Sequence, residues 1–504
     1  MRTRLFVADC PWPWAVVQRA DKHRVRVGAA VAGRAALAAV AGRAALAAVL
    51  LLAPVGAAAQ VVEPEPAGVV ESDAAPGLIE AARAGDAAGV RALLEAGADA
   101  GAAELDGSTA LLWASHRDDI ETVRLLIEAG ADAGAGNDLG ATPLWAASEN
   151  RSTAVVRMLL EAGADPNREL LSGETPVMVA ARAGSAEVVE QLAAAGADLD
   201  RQGSRGQTAL MWAAAQHHPE VVRALLEAGA DLNIRSDIWT QVMAVPPHSR
   251  PEYNREIPHG GNTALLFAVR AGDLPSARVL VAAGANVDDA DAWGVSAAVL
   301  AAHGGHRELL EFLLENGADP NAADAGFAPL HDAVMRNDRR MVAALLAHGA
   351  DPNQPLLTWT PTRRASRDHH YPPPFVGASP FWLAARFARI DLMRMLADHG
   401  ADPHFVHEVD YIVDGRMQWQ TERTTTLMAA FGMAGRRARP WVPYSGAPTA
   451  ELRILEAAML AVELGVDVNA VDATGRTVLD EAEALQYESV VEYLVELGAE
   501  PGAN

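Results

Sequence analysis

Cysteine is almost missing from these 504 residues; the one present is Cys10, close to the N-terminus. A chain cut beyond it has no disulfide, no thiolate metal site and no thiol nucleophile, which is compatible with an oxidising compartment. Aromatic residues are scarce at 5%, β-branched residues are few, and half of the chain is apolar, with alanine dominant. That composition favours short, closely packed helices over sheets. Positive charge is short as well: 41 Lys and Arg stand against 65 Asp and Glu, a formal charge of −24. Eight of the bases fall in residues 1–59 beside only Asp9 and Asp21, so the remainder holds 33 bases and 63 acids, about −30. A body of that sign repels phosphate backbones, which makes nucleic acid a poor partner. Catalytic signatures are absent too. There is no HExxH, nucleophile elbow, phosphate-binding glycine loop or dinucleotide fingerprint. No enzyme, cofactor or metal is expected.

The N-terminal region has one conspicuous apolar run. Residues 44–59 read AALAAVLLLAPVGAAA, follow a basic stretch, and end in Ala57-Ala58-Ala59 before Gln60. Basic region, apolar core and small-residue site together describe a secretory signal over 1–59, with the body exported. From Ala44 to Val62 no residue is charged, barely a membrane span, so an uncleaved anchor over 44–62 is the alternative. The segment AGRAALAAV occurs twice in tandem, at 32–40 and 41–49, which fits a translation start downstream of Met1. Residues 60–76 are rich in Pro, Glu and Gly and read as a linker.

From residue 77 onward the chain repeats itself. Gly-Ala-Asp, or a close variant, begins at Gly97, Gly130, Gly163, Gly196, Gly229, Gly284, Gly317, Gly349, Gly400, Gly465 and Gly498. The first four intervals are each 33 residues. About twelve residues after each Gly comes Thr-Ala-Leu, Thr-Pro-Leu or a variant, as at Thr109, Thr142, Thr175, Thr208, Thr263, Ser296, Ala328, Ser379, Thr425 and Thr477. A hydroxyl followed by Pro starts a helix, and Gly closes one in the left-handed conformation. Together the two marks resemble the ankyrin repeat, with its G-x-T-P-L-H-x-A-A start and L-L-x-x-G-A-D-x-N end. The resemblance covers roughly residues 77–500 and implies an all-α solenoid of about eleven units joined by hairpin-like turns. It implies a binding protein, and it makes the turn residues such as Asp165 and Asn167 turn formers rather than calcium ligands. Only His331 keeps the histidine that in this family bonds between neighbouring repeats. Trp113, Trp145, Trp212, Phe267 and Trp382 stand at that position or the next, and are expected to line or fill the packing of the inner helices.

The period breaks four times. Counted against a regular unit, 22 extra residues precede Thr263, 18 precede Ser379 and 13 precede Thr425, while 19 lie between Thr425 and Gly465. The insertions are placed at about 234–260, 354–377, 404–424 and 434–450. The first three fall at the tips between successive helix pairs, so they should stand near one another and enlarge one face. Four of the six tyrosines lie in these stretches. Tyr, Trp and Arg are the residues that anchor protein interfaces. Trp239, Tyr253, Trp359, Arg363, Arg364, Tyr371, Tyr411, Trp419 and Trp441 are therefore the candidate partner-binding residues. The competing reading is that the aromatics serve to fold the loops onto the solenoid.

The expected function is protein–protein binding by an exported repeat protein, through the concave face and the insertions at the hairpin tips. A membrane-tethered scaffold is one alternative. An enzyme of another class is the second, with a metal held in the insertions by histidines such as His369, His370, His404 and His407, near Glu408 and Asp410.

Overall fold

The computed structural model describes residues 74–244, 254–360, 370–412, 418–434 and 449–502. The leader over 1–59 and most of the linker over 60–76 lie outside these residues. The first helix begins at Ala74, just inside the stretch assigned to the linker.

Among the described residues, 22 helices follow one another as eleven antiparallel pairs. The local cause is the pair of marks seen in the sequence. In the helix Pro143–Glu149, Thr142 is extended, its hydroxyl accepts from the Trp145 N–H, and Pro143 occupies the first turn. Leu144, Ala146 and Ala147 are then fully buried. The small alanines let the first helices of successive pairs pack directly on one another along the stack. The second helix, Thr153–Glu161, buries Val155, Val156 and Leu159 on one face and leaves the other to solvent. Gly163 follows at φ 90°, with nothing near the place a Cβ would take. Backbone conformation alone therefore asks for glycine there.

The turn residues tie one unit to the next. Asp165 accepts from the Asn167 N–H, and Asn167 in turn accepts from Asp198 N–H at 2.7 Å and donates to the Gly196 carbonyl at 3.1 Å. Asn321 makes the same pair of bonds to Asp351 and Gly349. Asn353 makes them to Asp402 and Gly400, at 2.7 and 2.9 Å, although 18 extra residues intervene. The stack thus keeps its register through the second insertion. These carboxylates and amides are occupied as turn formers, as the repeat pattern implies.

Among the described residues, the fold departs from all-α in two hairpins. Ile238–Ala244 (β1) pairs antiparallel with Asn254–Gly260 (β2), and Val406–Ile412 (β3) with Trp419–Thr425 (β4). The first and third insertions are thus two-stranded hairpins. Ile, Trp, Thr and Val in β1, and Val, Tyr, Ile and Thr in β3 and β4, are residues that suit a pleated surface.

Candidate binding surface

The three insertions at the tips meet. From β2, the Arg255 guanidinium donates to Thr358 Oγ1 at 2.9 Å and lies 5.1 Å from the Trp359 ring centroid. Trp359, in the second insertion, packs with Ile412 of β3 and with Val376. His407 of β3 has Nε2 3.0 Å from the Val376 carbonyl oxygen, and its ring lies 4.4 Å from that of Trp382. Burial lowers the pKa of His407, against the Val376 bond that raises it, so the packing disfavours the charged imidazole. One hairpin therefore leans on the second insertion, which leans on the other hairpin.

The second insertion also lies down on the first helices of the stack. Leu356 and Ala378 join its two ends by a main-chain bond of 2.9 Å, and Pro373–Phe375 makes a tight 3-10 turn. Phe375 meets Trp382 edge-on at 5.8 Å. Tyr371 lies against Phe327 at 5.6 Å, and its Oη donates to Asp332 Oδ1 at 2.8 Å. Tyr371 and Asp332 are both buried. His303 Nδ1 is 3.4 Å from the same carboxylate oxygen. Burial, followed by the charge of Asp332, pushes the Tyr371 phenol well above its ordinary value. For His303 burial pulls the pKa down, but the charge and hydrogen bond of Asp332 outweigh it and the net shift is upward. Beside them His331 is wholly buried, and burial takes its pKa down to about 4. Its Nδ1 accepts from the Ala328 N–H, while its own N–H, for which Ala328 offers no hydroxyl, donates to the Ala328 carbonyl, and its Nε2 faces the Gln354 carbonyl at 3.0 Å. Gln354 opens the second insertion, so this histidine binds across units as the repeat pattern implies.

This arrangement sorts the nine candidates. Trp239 and Trp419 are exposed, at 43% and 64%. Trp239 stacks on His259 at 5.7 Å, with the Arg205 guanidinium 5.4 Å from its ring. Trp359, Tyr371 and Tyr411 are corrected as partner contacts. All three are buried, the first two as described and Tyr411 through its hydroxyl bond to Glu422, so they fold the insertions down. Tyr253, Arg363, Arg364 and Trp441 lie outside the described residues, as does most of the fourth insertion. Sequence reasoning missed Asp332 and Arg255. Asp332 directly follows His331 inside a buried helix (Pro329–Met335), a place where an acid is anomalous and could have been flagged.

The ladder on the first helices is graded. Trp382 and Trp212 are buried, whereas Trp113, Trp145 and Phe267 are half-buried. Arg83 lies 4.5 Å from the Trp113 ring and Arg182 lies 5.7 Å from that of Trp212. Packing governs this stripe.

Of the histidines named for a metal site, His369 lies outside the described residues, and among the described residues the others are not brought together. On β3 His407 points into the packing against Trp382, whereas neighbouring Glu408 points the other way and pairs with Arg423 at 2.9 Å. Asp410 accepts from Thr421, and His404 belongs to the turn held by Asp402. Strand alternation puts His407 on the opposite face from Glu408 and Asp410. Among the described residues no group of three or more His, Cys, Asp or Glu is placed to hold an ion.

A family model described as ankyrin repeats (3 copies) matches residues 78–170, 166–236, 248–324 and 265–356. Together the matches span just over half of the chain.

Proposed function

The chain belongs to the ankyrin-repeat family, and on that premise we propose that it is an exported scaffold whose eleven helix pairs all count as ankyrin units and whose partner is a protein. Ankyrin repeats generally mediate protein–protein interaction, and their proteins are typically non-enzymatic. The partner engages the concave, first-helix face together with the hairpin tips. One observation carries the tip assignment: the three insertions support one another through Arg255, Trp359, Ile412 and His407, while Trp239 and Trp419 are left facing solvent. Rigidly held aromatics lose little entropy on binding and make efficient anchors. In the C-terminal half, Tyr371 and Phe375 already cover part of the first-helix face. Binding there therefore relies on the outer side of the insertions.

The export assignment rests on the leader composition, and N-terminal sequencing of the exported protein tests it. A first residue at Gln60 supports a cleaved signal; a retained residue 44–62 segment favours the membrane-tethered scaffold. For recognition, Trp239→Ala and Trp419→Ala are combined and partner capture from a cell-envelope extract is quantified. The double variant should keep its thermal midpoint, because both side chains are exposed, and should lose most of its captured partner. Undiminished capture would remove the hairpins from the binding surface.

A further inference from the structure

Deepening the reading of this protein as a binding scaffold, on which it rests, we propose that β1 is an open sheet edge that takes an extended segment of the protein partner as a third strand, with an acidic side chain of that segment set against Arg205. The register of the first hairpin shows which way its main chain faces. Gly260 gives its carbonyl to the Ala292 N–H of the next unit at 3.0 Å, and Pro258 has no N–H to give. Both therefore stand where β2 turns its hydrogen-bonding groups away from β1, and the residues opposite them are Ile238 and Thr240. By alternation Ile238, Thr240 and Val242 turn their N–H and C=O groups away from β2, to the outer edge of the hairpin. Among the described residues the sheet has two strands only, and Ile238 and Val242 are exposed at 64% and 62%.

An open edge is normally blunted by charge, proline or a bulge. β2 has Arg255, Glu256 and Pro258, β3 has Glu408 and Asp410, and β4 has Glu422 and Arg423. β1 reads Ile-Trp-Thr-Gln-Val-Met-Ala, with no charge and no proline. Its edge is also held ready. Arg255 ties β2 to Thr358 of the second insertion at 2.9 Å, on the side away from the open edge. At the base of β1 the Asp237 N–H donates to the Arg205 carbonyl at 2.9 Å, so the preceding tip takes the third-strand place for one bond. Arg205 itself is left-handed at φ 61°, uncommon for a residue with a side chain, and sets its guanidinium 5.4 Å from the Trp239 ring. It forms no ion pair among the described residues, and a cleft of about 510 Å³ lies between Arg205, Asp237, Ile238 and Trp239. Main-chain pairing makes the occupant extended, as in other strand additions. Exposed Ile238 and Val242 favour β-branched neighbours on their face, and Arg205 favours an acid. A second copy of this chain would bring a net charge of −24 and, in its own β1, no acid to meet Arg205.

The probe is a fluorescein-labelled peptide of alternating Thr and Val with one central Glu. One control carries N-methyl groups on two adjacent central amides, which blocks both of its edges; a second has Lys in place of Glu. Fluorescence anisotropy with the full chain should show binding of the probe, with the methylated and the Lys peptides each about tenfold weaker. Val242→Pro removes one N–H of the open edge and leaves the β1–β2 bonds in place, so it should weaken probe binding by about fivefold. Arg205→Gly, which suits the left-handed backbone, should abolish the preference for Glu over Lys. Equal affinity of the parent for the methylated and unmethylated peptides, or for the Glu and Lys peptides, overturns the proposal whatever the stability of the variants. A concentration-dependent dimer that Val242→Pro dissociates, with no probe binding, overturns it in favour of a second copy. Should the probe fail to bind while partner capture still depends on Trp239 and Trp419, the added strand falls and the scaffold reading stands.

Discussion

Removing one oxygen tests how the second insertion is held. Tyr371→Phe deletes the hydroxyl that reaches Asp332 Oδ1 at 2.8 Å and leaves the ring against Phe327 and His331. A hydrogen bond to a charged group contributes about 1.5–3 kcal/mol, more than a neutral one, because its loss leaves part of a buried charge unsatisfied. Asp332 is fully buried, its Oδ2 has no partner among the described residues, and His303 Nδ1 reaches Oδ1 only at 3.4 Å, so the loss is poorly compensated. The expected loss is about 2 kcal/mol, concentrated on residues 370–378 rather than on the stack, whose register is set by Asn353. Hydrogen exchange resolves this. The amides of Thr360 and Gly377, which donate to Tyr371 and Leu356 within the insertion, should exchange roughly 10- to 100-fold faster. Amides of the flanking helices should hardly change. Asp332→Asn supplies the complement. It removes the charge that holds His303 above its ordinary pKa, so the His303 titration should move down. A Tyr371→Phe protein whose insertion amides exchange at the parent rate would refute the clamp.

Three further outcomes follow from the same geometry. His331 has a depressed pKa of about 4, so its burial favours folding above pH 6.5, and that contribution is lost as pH falls from there towards 4; urea midpoints should drop over this window and do so less in His331→Gln. His303 works oppositely, its raised pKa stabilising most below pH 6.5 and fading as pH rises through its folded value, so the midpoint should also decline on the alkaline side unless Asp332 is replaced. Trp359→Ala should cost about 3–5 kcal/mol within the insertions, as expected for a buried tryptophan, and should raise hydrogen exchange in β2 and β3 together; a change confined to residues 356–360 would contradict the joined insertions.

Much of the stack could be read from residue spacing because each unit is specified locally. Thr142 caps its own helix three residues on, Gly163 ends one through its own φ, and Asn167 bonds a unit one period away. The insertions are different. Their aromatic content was visible, but the chemistry that makes Tyr a good interface anchor also makes it a good core residue. Tyr371 is buried because Asp332, 39 residues earlier, offers its phenol an acceptor, and Trp359 because Arg255 reaches it from 104 residues away. Neither partner is signalled by local pattern. The hairpins were read as loops for a related reason: β1 and β2 each make sense as strands only in register with the other, Trp239 opposite His259 and Met243 opposite Arg255.

The Asn353 rung has a mechanical meaning. Because it joins Asp402 and Gly400 across the second insertion, tension along the stack runs through that rung and through the packed helices, leaving residues 354–377 outside the line of force. Those residues are hidden length. A pull that breaks the rung, and then the contacts of Thr358, Trp359, Tyr371 and Phe375 that hold the insertion down, would release a segment with a contour length of about 80 Å, longer than a regular junction between units.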